Sequence, residues 1–197
     1  MKKVALLGST GSIGTSTLDV LARLRDRFEV VSLSAGSNVD LLCEQVSAFK
    51  PRRVCVAELT EEVTDRLTPG VEDLVEGPQG LVELSTDPDV DLVINGLVAG
   101  LGLRPTIAAL KAGKDVAIAN KETLVVAGHI VTQMARQNGA QLIPLDSELT
   151  PLWQTLQSVP TEKVKRIILP ASGGPFFDTP LDEMARMNPE DALNHPT

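Results

Sequence analysis

The sequence predicts an α/β fold built on a doubly wound parallel sheet, and three observations predict it. Short β-rich runs alternate with helical patterns along most of the 197 residues. Several runs are apolar at consecutive positions rather than at every second one, as in strands covered by helices on both faces. A glycine-rich turn, Gly8-Ser9-Thr10-Gly11-Ser12-Ile13-Gly14, joins the first run to the first helical pattern. Such a β-α-β-α rhythm builds a parallel sheet through right-handed crossovers.

Strands are predicted at residues 4–7, 30–34, 54–56, 92–94, 116–119 and 142–144, with a short one near Leu74 and Val75. Helices are predicted over 12–24, 39–49, 79–85, 105–112 and 123–138. The first carries Ile13, Leu18, Leu21 and Ala22 at helical spacing, while Gly113 and Gly139 follow two others where a left-handed cap is common. The rhythm changes after Asp146. A helix at 152–156 and a strand at 164–169 precede a Gly/Pro-rich loop and a polar stretch to Thr197. The expected division is therefore a cofactor domain over 1–145 and the beginning of an α+β catalytic domain over 146–197, with no closing element at its end.

Composition narrows the functional classes. An apolar share of 43% supports a real core, but aromatics are only 3%, so Val, Leu, Ile and Ala must fill it. The formal net charge is −8 with no basic block, which argues against nucleic acid as a partner. A small anion is still permitted, because amides at a helix start hold phosphate locally. Cys43 and Cys55 lack metal-ligand or C-x-x-C spacing and read as reduced thiols. The apolar run after Lys3 is too short for a signal peptide, and none approaches the ~18 residues of a membrane span. A cytoplasmic protein is expected.

The glycine turn, between a strand and a helix, has the context of a dinucleotide site, and the domain reads as Rossmann-like. Amides of Gly11, Ser12 and Ile13 would point at a pyrophosphate. The second strand ends in Ser34-Ala35-Gly36-Ser37-Asn38, without the carboxylate that holds an NAD ribose. That absence favours NADP. The alternative is a glycine turn with no ligand.

Other candidates lie at later strand ends. In extended backbone Asp146 and Glu148 would face the same side and suit Mg²⁺ or Mn²⁺; otherwise they are two solvated acids. Asn120-Lys121-Glu122 places a Lys where it would hold a hydroxyl or phosphate, or simply start a helix. Ser172-Gly173-Gly174-Pro175-Phe176 fits a phosphate nest or a plain turn. His129 reads as structural and Trp153 as core.

In this order, the segments LLGSTGSIGTSTLDV, LSAGSNVDLL, IANKETLV, LIPLDSE and ASGGPF resemble the 1-deoxy-D-xylulose 5-phosphate reductoisomerase family, from Lys3 to Thr197. The resemblance implies an NADPH- and divalent-metal-dependent enzyme of isoprenoid precursor synthesis by the methylerythritol phosphate route. It would convert a small phosphorylated sugar, 1-deoxy-D-xylulose 5-phosphate, to 2-C-methyl-D-erythritol 4-phosphate by rearrangement and reduction. By the same resemblance Thr10, Gly11, Ser12 and Ile13 line the pyrophosphate, and Gly36, Ser37 and Asn38 lie near the 2′-phosphate. Asn120 and Glu122 match cofactor-contacting positions. Asp146 and Glu148 match metal ligands; Lys121, Ser147, Glu148, Ser172 and His195 match substrate positions, with Lys121 and Glu148 closest to the chemistry. Leu149 stands where the family usually has His, and Pro170 where Thr is common. The family's chains run further and commonly form homodimers, so the expectation for these 197 residues is cofactor binding without turnover. Alternatives are a semialdehyde-type dehydrogenase, which needs a Cys nucleophile, and a non-catalytic NADP-binding or partner-binding paralogue.

Overall fold

The structure is a computed structural model that describes residues 1–169 and 174–194. It divides into two compact units, Met1–Asp146 and Ser147–Thr197. The first unit is a seven-stranded sheet of β1 (Lys2–Leu7), β2 (Phe28–Ser34), β3 (Arg53–Val56), β4 (Asp73–Glu76), β5 (Leu92–Asn95), β6 (Asp115–Ile118) and β7 (Leu142–Pro144). Every pairing is parallel, in the order β4-β3-β2-β1-β5-β6-β7. The fold is α/β and doubly wound. The chain builds outward from β1 to β4, then returns to lay β5 on the other side of β1.

The connecting helices are α1 (Ser12–Arg23), α2 (Val39–Phe49), α3 (Glu61–Leu67), α4 (Gly77–Thr86), α5 (Leu103–Lys111) and α6 (Lys121–Gln137). One core gathers Leu18 and Leu21 of α1, Leu42 and Val46 of α2 and Leu67 of α3 against Val4, Leu6 and Leu33. The other gathers Leu81 and Leu84 of α4, Leu110 of α5 and Val131 of α6 against Ala5, Leu7 and Val93. Alternate residues of β1 thus point into different cores. Burial of both faces explains the continuous apolar runs. The core is aliphatic, as the scarcity of aromatics requires.

Two expectations need correction. Helix α3 is absent from the sequence reading because two turns are too short for periodicity to speak. Its start signal was present, since the Thr60 hydroxyl accepts from the Val63 amide and Glu61 and Glu62 occupy the first turn. The strand expected at 164–169 does not form. That segment pairs with no strand among the described residues, and Ile167, Ile168 and Leu169 are exposed. Apolar, β-prone sequence becomes a strand only when a neighbour takes up its amides and carbonyls. The second unit instead holds α7 (Leu149–Leu156) and the short helices α8 (Leu181–Met184) and α9 (Pro189–Leu193). No helix of the described residues is long and apolar enough to cross a membrane.

The amino-terminal edge of the sheet is tied by ions. The Arg52 guanidinium, just before β3, pairs with Asp87 and Asp89 ahead of β5, and Arg53 pairs with Asp73 of β4. Asp115 accepts from the Lys2 ammonium and the Gln141 amide, both at 2.9 Å. Burial alone would raise the Asp115 pKa, but those two bonds outweigh it and hold the carboxyl below its ordinary range. A carboxyl lowered in the folded state adds stability above the ordinary carboxylate range and loses it as pH falls through that range. Asp115→Asn should therefore melt a few degrees below the parent near neutral pH, with the gap closing in acid. A gap independent of pH would contradict this assignment.

One buried hydroxyl lacks a partner among the described residues. The β1–β2 register skips Val31, pairing Val4 with Val30 and Ala5 with Ser32, and the Ser32 Oγ beside this irregularity is unsatisfied. Desolvating a hydroxyl without a bond costs about 1 kcal/mol or more. Ser32→Ala should raise Tm by about 2–4 °C in thermal unfolding. An unchanged or lower Tm would show that the hydroxyl is bonded in solution.

Candidate functional site

Strands β1 and β5 lie side by side and end at Leu7 and Asn95, each followed by glycine. Their connections run to helices on opposite faces of the sheet, which opens a crevice at the carboxyl edge where such sheets bind ligands. The Gly96 amide donates to the Leu7 carbonyl at 2.9 Å. Gly8 has φ +82°, and a Cβ there would stand 2.9 Å from the Gly96 carbonyl oxygen. Gly14, on the first turn of α1, is tighter. A Cβ would come within 2.2 Å of the Gly8 carbonyl oxygen. The outer two glycines are thus demanded by close packing of the turn on itself and on β5.

Gly11 serves differently. Its own amide closes the turn by donating to the Gly8 carbonyl at 3.2 Å, so it is not available for an anion as the sequence reading expected. Gly11 caps α1 without a side-chain bond, and Ser12 and Ile13 supply the first helical amides. Helix geometry gives those amides no intrahelical acceptor. Gly11, Ser12 and Ile13 are exposed and Thr10 is half-buried. An exposed helix start with uncommitted amides attracts negative charge.

Beside it, β2 ends at Ser34, whose carbonyl accepts from the amides of Gly8 at 3.1 Å and Ser9 at 2.7 Å. Gly36, Ser37 and Asn38 follow, all exposed, and the Asn38 side chain caps α2 by accepting from the Leu41 amide at 3.2 Å. A cavity of about 150 Å³ lies alongside, lined by Ser34, Gly36, Cys55, Gly77, Leu97 and Leu101 among others. The buried Cys55 thiol is pushed up to about 12, first by burial and then by the charges of Glu83 and Glu76. A thiol so firmly protonated is a poor nucleophile, so Cys55 does not suit the nucleophilic role that a semialdehyde-type dehydrogenase needs.

Two asparagines shape the far wall. Asn95 donates to the Gly102 carbonyl and the Thr106 hydroxyl, and Asn120 donates to the carbonyls of Leu97 and Ala99 and to Glu122. The Asn120 oxygen also accepts from the Thr123 amide, capping α6. Its buried side chain is committed to the protein, so a cofactor would meet this residue through backbone. Lys121 and Glu122 are exposed at the start of α6.

The acidic pair departs from expectation. Residues 146–148 form a bend and turn, and Glu148 has helical dihedrals (φ −93°, ψ −50°) ahead of α7. The strand ended at Pro144, so the two-residue alternation that would align the carboxylates does not apply. Asp146 closes the first unit; Ser147 and Glu148 open the second. No group of three His, Cys, Asp or Glu side chains among the described residues is placed to hold a metal. Ser172, His195 and Pro170 lie outside the described residues. Gly174 is described, with φ +69°. His129 is exposed on α6, and Trp153, expected in the core, is half-buried on α7.

Gln45 and Asn95 escaped the sequence reading, though Gln45 left a signal: a polar residue among Leu42 and Val46 on the apolar face of α2. It is 6% exposed and bonded at both ends to Ser9.

Comparison with known proteins places these features. The model of 1-deoxy-D-xylulose 5-phosphate reductoisomerase matches residues 4–128, and that of its C-terminal domain matches residues 142–197. A 1-deoxy-D-xylulose 5-phosphate reductoisomerase of Geobacter metallireducens is 50% identical over 198 residues, covering 100% of this chain and 52% of the relative. The chloroplastic enzyme of Mentha piperita is 46% identical over 200 residues, covering 99% and 42%. The chain spans about half the length of the curated relatives it matches. Among solved structures, the Zymomonas mobilis enzyme in complex with NADPH superposes with a TM-score of 0.90 at 38% identity, covering 100% of this chain and 52% of the other. A reductoisomerase bound to NADPH, fosmidomycin and magnesium gives a TM-score of 0.85 at 32% identity, covering 100% and 51%.

The glycines should separate by mutation. Gly14→Ala is expected to cost about 1–3 kcal/mol through overpacking. Gly11→Ala, where an added Cβ would make only an ordinary 3.5 Å contact with the Gly8 carbonyl oxygen at an unstrained φ, should cost under about 1 kcal/mol as a cap change. Equal losses in thermal unfolding would contradict this division of roles.

Proposed function

The chain belongs to the 1-deoxy-D-xylulose 5-phosphate reductoisomerase family, and from that premise we propose that it binds NADPH at the β1–α1 turn. We further propose that it serves conversion of 1-deoxy-D-xylulose 5-phosphate to 2-C-methyl-D-erythritol 4-phosphate for isoprenoid precursors. The observation that carries this reading is the crevice between β1 and β5, where an open helix start faces a second segment without carboxylates. Relatives solved with NADPH and with magnesium support it.

The chain's own residues would divide the work. Ser12 and Ile13 amides and the Thr10 hydroxyl receive the pyrophosphate. Gly36, Ser37 and Asn38, none of them acidic, receive the 2′-phosphate. The slot bordered by Leu97 and Leu101 offers an apolar wall to a base. Lys121 would hold a substrate oxygen, joined by Ser147, Glu148, Ser172 and His195. Asp146 and Glu148 are hard oxygen donors that suit Mg²⁺ or Mn²⁺, with substrate and water completing the shell. When bound, the metal supplies Lewis acidity for the rearrangement and NADPH the hydride for the reduction.

In this reading residues 1–145 form the cofactor domain and 146–197 open the catalytic domain. A homodimer of the full-length chain and a cytoplasmic location belong to the same proposal and rest on the family resemblance.

Calorimetric titration of the 197-residue chain with NADPH and NADH at matched salt tests the cofactor assignment. Micromolar NADPH binding, at least about tenfold tighter than NADH, is expected, equivalent to about 1.4 kcal/mol of preference. Equal affinities would overturn the 2′-phosphate assignment, and no binding would overturn the site.

A further inference from the structure

Gln45 sits two turns into α2 on a face that otherwise sends Leu42 and Val46 into the core. A carboxamide buried there costs free energy unless both its ends find partners. Both do, and on one residue: Nε2 donates to the Ser9 carbonyl at 2.9 Å, and Oε1 accepts from the Ser9 hydroxyl at 2.6 Å. Ser9 is 0% exposed, and its amide donates to the Ser34 carbonyl at 2.7 Å. Every polar group of Ser9 is therefore held from outside the turn, by β2 or by α2. The residues it precedes, Thr10 to Ile13, are those that meet the solvent.

The same helix begins at the cap Asn38, directly after Gly36 and Ser37. Gln45 lies seven positions after Asn38, two helical turns on one face and about 10 Å along the axis. One rigid element thus carries at its start the segment assigned to the 2′-phosphate and, two turns along, a clamp on the pyrophosphate turn. We infer that Gln45 is a specificity-determining positioning residue that fixes the spacing between these two segments and thereby the preference for NADPH over NADH. The inference rests on the cofactor reading above. Gln45 need not touch the cofactor; it acts through Ser9.

The consequence is selective. NADH carries no 2′-phosphate for Gly36, Ser37 and Asn38 to hold, so a turn that drifts relative to α2 can follow it at less cost. NADPH must satisfy both segments at once, and drift removes one set of contacts when the other is made. A purely structural role for Gln45 would act on both nucleotides alike, because partial unfolding lowers the two apparent affinities by one factor.

The test uses Gln45→Met, of similar volume without hydrogen bonds, and the milder Ser9→Ala, both in the 197-residue chain. The dissociation constants for NADPH and NADH are measured for each by calorimetry, with competition for the weaker ligand. The ratio of NADH to NADPH constants should fall about tenfold in Gln45→Met, as loss of a buried bonded pair implies, and less in Ser9→Ala. The double variant should match Gln45→Met, since the two side chains act as a unit. If Gln45→Met does not fold, a fall of the ratio in Ser9→Ala carries the inference. Equal weakening of both nucleotides, or an unchanged ratio in folded variants, overturns it while the cofactor reading stands. Failure of the unmodified chain to bind either nucleotide overturns both.

Discussion

The structure depends on a steric constraint at the carboxyl edge of the sheet. Parallel strands β1 and β5 must lie in register, yet their connections depart to helices on opposite faces. Gly8 and Gly96 occupy the point of divergence, and the backbone at Gly8 comes so near Gly96 that no Cβ fits between them. The helix start that follows can approach the sheet only because Gly14 lies against the Gly8 carbonyl. Crevice, exposed amides and direction of α1 all follow from that contact.

Polar groups are distributed to protect this geometry. At the amino-terminal edge, Arg52, Arg53 and Lys2 meet Asp73, Asp87, Asp89 and Asp115, charges that staple strand starts near solvent. Around the glycine turn several fixings are neutral and at least partly buried: Ser9 with Gln45, Ser34 with the glycine turn, Asn95 and Asn120 with the loop between β5 and α5. Neutral amides and hydroxyls hold backbone in place without setting a fixed charge beside an anionic ligand. The residues of the glycine turn and of the segment Gly36, Ser37 and Asn38 are themselves uncharged, so a local anion site is compatible with the overall charge.

Much of this was legible in the residues. Continuous apolar runs gave the buried strands, glycine spacing gave the turn, and the missing carboxylate after β2 pointed to the phosphorylated cofactor. Local signals failed where pairing decides the outcome. Residues 164–169 have the composition of a strand but no partner strand among the described residues, while α3 formed from a cap and two acids where no period was visible. At 146–148 the sequence marked the acids, but their alignment was assumed from a strand that stops at Pro144.

The sequence by itself determined the layer architecture and the candidate cofactor turn, because both rest on short-range rules of periodicity and glycine conformation. Only the tertiary structure decided which groups are committed and which are open. The Gly11 amide is taken by Gly8, the Asn120 side chain by Leu97 and Ala99, and the Gln45 amide by Ser9. Three of these bonds, Asn120 to Leu97, Asn120 to Ala99 and Gln45 to Ser9, join residues more than twenty positions apart. Such partnerships exist only once the sheet has brought strand ends together, and no local pattern in the chain encodes them.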